Sequence, residues 1–191
     1  MPSIPLFPLS TLLLPGMRMP LQIFEQRYLA MVSDCLKSDS GFGVVLIREG
    51  HEVGEVPQVF SVGVYGRIVD WDKQTNGLLG ITVLGERKFR TVSMAAQPDK
   101  LLMAEVEFLP DEPVAEIEDR HMDLVALAQQ LSEHPAVARL GLPTIKDAST
   151  LGWQLTQLLP LSNPDKVALL EMDDPLLRLD ELDERVQRLS E

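Results

Sequence analysis

The sequence predicts an α+β protein with a β-rich front part and a helical back part, and three observations carry that prediction. Two long apolar-alternating stretches, Val62–Trp71 and Leu78–Thr91, are joined by a polar segment ending in Asn76-Gly77, the signature of a β-hairpin. After Asp111-Glu112-Pro113 the apolar spacing changes from two to a helical three or four. Charge changes at nearly the same place: residues 1–98 hold 9 acidic and 9 basic side chains, whereas residues 99–191 hold 20 acidic and 8 basic, which is the whole net charge of −12.

Each element follows in order. Ile4-Pro5-Leu6-Phe7-Pro8-Leu9 is extended and proline-marked, which suits a sheet edge or a strand start because proline has no ladder donor. Pro15-Gly16 turns the chain. Phe24, Tyr28, Val32 and Leu36 recur every four residues and predict one amphipathic helix from Phe24 to Lys37, stopped by Ser38-Asp39-Ser40-Gly41. Phe42–Ile47 is an apolar, β-branched run and predicts a buried strand. Val53, Val56 and Val59, interrupted by Pro57, read as a loop or loose strand. The hairpin follows, and its glycines at 63, 66, 80 and 85 predict bends or bulges of a small, closed or half-closed barrel. Leu101–Leu109 is the last of five or six strands.

Beyond the boundary, Ile117, Leu124, Leu127 and Leu131 mark a first helix, ended or broken at His134-Pro135. Leu151, Leu155, Leu158 and Leu159 mark a second. Asn163-Pro164 and Asp174-Pro175 open a third and a fourth, since proline fits the first helical turn. The organisation expected is therefore a β-rich subdomain over residues 1–112 and an acidic helical subdomain over residues 113–191.

Composition excludes several functions. A single cysteine, Cys35, permits neither an internal disulfide nor a multi-cysteine zinc site. The three histidines, His51, His121 and His134, lack close metal-ligand spacing, and His121 reads as solvated. No serine sits in an acyl-transfer signature, and the glycines match no phosphate-cradling loop. The apolar run Ile4–Leu14 is broken by two prolines and too short to span a bilayer. The expectation is a cytoplasmic protein with no enzymatic activity, no cofactor, no metal, no membrane and no DNA partner. RNA is disfavoured by the acidic balance, unless Arg67, Arg87, Lys88 and Arg90 converge on one face.

One set of residues suits recognition of a polypeptide. Met17, Met19 and Leu21 would line an adaptable apolar groove, rimmed by Arg18, Glu25 and Arg27. Trp71 and Trp153 are secondary anchors, because aromatic side chains often carry binding energy. Asp70 and Asp72 flank Trp71, and alternation places both on one side of their strand with Trp71 opposite.

Particular stretches then resemble the Lon protease N-terminal domain family. They are Pro5-Leu6-Phe7-Pro8-Leu9, Leu14-Pro15-Gly16, Pro20–Tyr28, Phe42-Gly43-Val44-Val45-Leu46, and the hairpin segments Val62-Gly63-Val64, Arg67-Ile68 and Gly77–Arg90. Leu169-Leu170-Glu171, Arg178-Leu179 and Leu182 resemble its closing helices. The resemblance implies a PUA-like pseudobarrel of six strands and one helix, followed by a small helical bundle. It implies a peptide- or protein-binding module, an adaptor or chaperone-like factor for unfolded or tagged segments, without the ATPase and protease modules of full-length Lon. An RNA-binding PUA-like protein and a small hydrolase are the alternatives. Monomer and homodimer both remain open.

Overall fold

The computed structural model describes residues 1–189. The chain divides into two compact units, Met1–Pro110 and Asp111–Glu191.

The first unit holds six strands, β1 (Ser3–Leu9), β2 (Arg18–Ile23), β3 (Phe42–Glu49), β4 (Gln58–Lys73), β5 (Leu79–Ala96) and β6 (Leu102–Phe108), with one helix, α1 (Gln26–Ser38). The strand order is β2-β5-β4-β3-β1-β6, and β6 pairs again with β5. The pairings therefore run from β5 through β4, β3, β1 and β6 back to β5, and only β2 lies outside the ring. β1 and β3 are parallel; every other pair is antiparallel.

The five strands of the ring lie where the sequence placed strands: a proline-marked extended run, an apolar β-branched run, the hairpin and the last alternating stretch. β2 was not read as a strand at all, and α1 starts two residues later than its apolar spacing suggested, at Gln26. What makes β2 is the turn before it. The Met17 N–H donates to the Leu14 carbonyl across Pro15-Gly16, with Gly16 at φ +74°, the pattern of a type II turn. The Gly16 N–H then donates to the Gly85 carbonyl at 2.8 Å, and the Gly85 N–H to the Met17 carbonyl at 2.9 Å. Two residues thus oppose one, a bulge with a left-handed glycine in first position, which swings the chain into register with β5.

The ring is filled by aliphatic side chains around Phe89, including Ile4, Leu6, Val45, Leu102, Ala104 and Val106. Backbone comes very close to that ring. A Cβ on Gly63 would sit 2.5 Å from the Val44 carbonyl oxygen and 2.7 Å from the Phe89 ring. Glycine is needed there because there is no room for a methyl group.

The second unit opens with a 3-10 turn at Asp119–His121, followed by α2 (Met122–Ser132), the single-turn α3 (Pro135–Ala138), α4 (Ala148–Leu158), α5 (Asn163–Glu171) and α6 (Pro175–Leu189). Side chains cap these helices: His134 for α3, Asp147 for α4, Asp174 for α6. α5 is capped by Ser162 rather than Asn163, which occupies its first turn. Leu124, Ala128, Leu151, Leu155, Leu169, Leu179 and Leu182 form the core.

Arg178 is fully buried in that unit. Its guanidinium donates to both carboxylate oxygens of Glu112 and to the carbonyls of Leu169 (3.1 Å) and Met172 (2.5 Å). It also lies 3.5 Å from the centroid of Trp153. The arginine therefore ties α4, α5, α6 and the entry segment together, with its donors satisfied by acceptors that water would otherwise supply. His121 is likewise buried, not solvated, and its Nε2 meets Asp180 at 2.7 Å.

Two stability outcomes follow. Gly63→Ala overpacks a rigid site and is expected to cost at least about 1–3 kcal/mol in denaturant unfolding. Arg178→Ala and Arg178→Met both leave the partly buried Glu112 without this partner and are expected to cost about 3–5 kcal/mol, whereas replacing both members, Arg178→Met with Glu112→Leu, should be much better tolerated.

Candidate functional site

A groove opens beside β2, with a volume of about 160 Å3. Phe7 and Leu9 of β1 and Tyr28 of α1 form its buried floor. Pro20, Leu21, Gln22 and Ile23 form one wall; Phe24 and Glu25 form the approach to α1; Glu52 and Val53 come from the loop between β3 and β4. Phe24 is 54% exposed and Val53 55% exposed, so two large apolar side chains stand in solvent at its rim.

Local sequence accounts for the geometry. Glu25 is the N-cap position of α1, in extended conformation, so Phe24 lies before the helix and escapes its buried stripe. Phe7 stacks on Tyr28 with ring centroids 4.0 Å apart and planes 19° apart. Arg27 lies over the same Tyr28 ring, 4.7 Å from its centroid. Arg27 is itself buried, pairs with Glu25 at 3.1 Å and donates to the Lys100 carbonyl at 3.0 Å. It holds the start of α1 against the turn before β6. Glu52 is fixed by the Ser10 N–H at 2.6 Å, which sets the loop as the far wall.

Burial pushes the Tyr28 phenol up to about 12; neighbouring Arg27 opposes that shift and Glu25 adds to it. Tyr28 thus stays neutral across the physiological range, and the groove floor is uncharged.

A second, wider recess of about 380 Å3 also borders β2. Pro20, Leu21 and Gln22 line it together with Asp70, Trp71, Asp72 and Gln74 of the hairpin and Gly80, Ile81 and Thr82 of β5. Register explains its polarity. Pro20, Thr82 and Asp70 are cross-strand neighbours, as are Gln22, Gly80 and Asp72, so both aspartates share a face. Leu21, Ile81 and Trp71 form the intervening row, on the opposite face. The Gln22 amide donates to Gln74 at 2.8 Å across the bare Gly80.

The structure brings Leu21 and Glu25 together in the groove, and places Arg27 behind its wall. Met17 does not join them: it is 2% exposed, because the bulge at Gly16 turns it into the interior of the β-rich unit. Met19 is partly buried and Arg18 exposed on β2, and neither lines the groove. Trp71 is 60% exposed near the hairpin tip, so it is available as an anchor. Trp153 is not: it is 3% exposed and covered by Arg178 within the helical unit. Phe24, Val53, Glu52 and the floor residues Phe7, Leu9 and Tyr28 were missed as a site. No capping signal marked the helix start: Glu25 stands at the N-cap position without a side-chain cap hydrogen bond, and glutamate is not a preferred N-cap residue.

The closed strand ring with one helix and an open apolar groove defines a binding domain of α+β class. The model of the ATP-dependent protease La (LON) substrate-binding domain matches residues 3–188, and the chain belongs to that family. A crystal structure of a Lon N-terminal domain protein from Xanthomonas campestris has 35% identity, covers 95% of this chain and 97% of that one, and superposes with a TM-score of 0.76. The N-terminal domain of Mycobacterium avium complex Lon protease shares the fold, at 22% identity and a TM-score of 0.62, covering 96% of this chain and 97% of that chain. Lon protease 2 of Myxococcus xanthus is 26% identical over 185 residues, 92% of this chain but 22% of that protein. The chain thus spans about a fifth of the length of such relatives.

Tyr28 yields a pH outcome. Its folded pKa lies above the unfolded value of about 10, so its contribution to stability is complete below that pH and is lost as pH rises toward 12. Phenolate absorbance during alkaline titration should show one tyrosine ionising near pH 12, coincident with loosening of the β-rich unit. Tyr28→Phe should remove that step and retain the fold.

Proposed function

We propose that this chain is a non-enzymatic module that binds unfolded or tagged polypeptide segments through the groove beside β2. The observation that carries the proposal is the pairing of two exposed apolar side chains, Phe24 and Val53, with a buried, uncharged aromatic floor. Exposed apolar groups around a concavity bury area only when a partner arrives, at about 25 cal/mol per Å2. A groove of this size takes one side chain at a time, so affinity for a single segment is modest and selectivity is loose. Such behaviour suits an adaptor or chaperone-like factor. The family description as a substrate-binding domain supports the same reading.

The alternatives fit less well. Of the four cations that an RNA face would need, three are engaged or buried: Arg67 pairs with Asp39 and Glu86, Arg87 lies over Phe108, and Lys88 is buried. For a hydrolase, neither the lone cysteine nor Ser149 is free to act as a nucleophile. The Cys35 thiol is buried against the Gly41 carbonyl with its pKa raised by burial, and the Ser149 hydroxyl donates to Glu112, which Arg178 holds. The setting we propose is the cytoplasm; among the described residues no helix is long and apolar enough to cross a membrane.

A binding test uses an unfolded, apolar-rich model polypeptide and the intact chain. Phe24→Ser combined with Val53→Ser should weaken binding by at least about tenfold, roughly 1.4 kcal/mol, while leaving thermal unfolding nearly unchanged because both side chains are exposed. Undiminished binding in the double variant would overturn the groove as the site.

A further inference from the structure

We infer that the occupant of this surface is an extended, basic polypeptide segment that adds to the free edge of β2, with apolar side chains on one face and lysine or arginine on the other. This deepens the groove reading and rests on it.

The backbone of β2 is open on one side. β2 ends the strand order and pairs only with β5. The Met17 carbonyl accepts from Gly85, so the residues of β2 that bond inward to β5 are the odd-numbered ones. Arg18, Pro20 and Gln22 therefore direct their backbone groups away from the sheet. Pro20 has no N–H, and its place at an outward position leaves the ladder with β5 intact. The open edge offers carbonyls at three positions but N–H groups only at Arg18 and Gln22. Backbone pairing there is short, and side chains must supply the rest of the affinity.

Both faces of the edge have a recess, and Pro20, Leu21 and Gln22 line each of them. A strand added to β2 alternates its side chains between those faces. On one face it meets the apolar groove with Phe24, Val53 and the floor of Phe7, Leu9 and Tyr28. On the other it meets the recess with Asp70 and Asp72, both exposed and, among the described residues, in no ion pair. Asp70 accepts only its neighbour's N–H, from Trp71 at 3.0 Å. The carboxylates select positive charge, and the chain's net charge of −12 steers it in. An acidic segment would place like charges against the two aspartates.

The test uses the intact chain and synthetic peptides of one length that alternate leucine or phenylalanine with lysine, or with glutamate. Trp71 is the reporter, since it stands exposed in the row of Leu21 and Ile81, whereas Trp153 is buried elsewhere. The lysine peptide should bind about tenfold tighter than the glutamate peptide at physiological salt. Asp70→Asn with Asp72→Asn should collapse that ratio to within about twofold. Glu116→Gln with Glu133→Gln removes the same net charge from the helical unit and should leave the ratio unchanged. N-methylation of the peptide amides that face β2 should weaken binding about tenfold, and of the alternate amides far less. Equal affinity for both peptides, equal sensitivity of the two charge-removing pairs, or indifference to N-methylation overturns the inference. If binding nonetheless depends on Phe24 and Val53, the groove reading survives it. If no peptide binds and the apolar polypeptide also fails to bind, both fall.

Discussion

Everything in the β-rich unit depends on how β5 is paired. It is eighteen residues long, and it serves β2 and β4 with its first part and β4 and β6 with its second. One strand cannot lie flat and serve three neighbours, so β5 must coil, and register shifts at Tyr65/Gly66, Ile68/Asp70 and Thr91/Ser93 take up the mismatch. Closing β6 onto the second half of β5 leaves the first half with a neighbour on one side only, and β2 takes the other. The ring therefore closes at one end and ends in an edge strand at the other. The groove and the acidic recess exist because that edge strand has two faces, each walled by a different part of the chain.

The reading from sequence succeeded where the information is local. The hairpin was legible because Asn76 and Gly77 sit between two alternating stretches; Gly77 takes φ +82° and Asn76 receives the Leu78 N–H. The helical unit was legible from leucine spacing and from the proline and aspartate punctuation. β2 was not, because its alternation, Met19, Leu21 and Ile23, runs over only six residues, has a proline in its middle and depends on a partner about sixty residues away. Taking Met17, Met19 and Leu21 as one exposed set failed for the same reason. The bulge at Gly16 sends Met17 into the core, and no composition or spacing announces a bulge before the pairing is known. Trp153 failed differently: a tryptophan among acidic helices looks like an anchor until a buried arginine is found on it.

Arg178 also clarifies what the acidity of the second unit does. Burying a guanidinium is unfavourable, and burial lowers its pKa, yet Glu112 and two helix-terminal carbonyls surround it with acceptors. Asp165 and Asp180 likewise face Arg185 and Arg120, and both carboxyls are held below their ordinary values. For Asp165 the hydrogen bond from Ser162 is the largest cause; for Asp180, burial is outweighed by the hydrogen bonds from His121 and Arg120. Since the folded pKa values are the lower ones, these contributions are present above the unfolded values and decline as pH falls through the folded ones. Part of the acidic excess is thus structural.

The two aspartates of the hairpin stand apart from that internal arithmetic, because no cation of the described chain neutralises them. Exposed carboxylates beside a strand normally need no cause beyond solubility, and an edge strand normally needs protection from its neighbours. Here the two carboxylates, carried by β4, share a recess with three residues of the β2 edge, and the opposite face carries apolar side chains that solvent does not favour. Proline at position 20 removes the central donor of the edge, which shortens any strand that adds to it without forbidding one. The combination restrains indiscriminate sheet growth while leaving a short segment able to pair, and it passes the choice of segment to side chains. In the proposed binding mode such a site holds its partner weakly and reversibly, and gains strength from several contacts along one chain rather than from any single one.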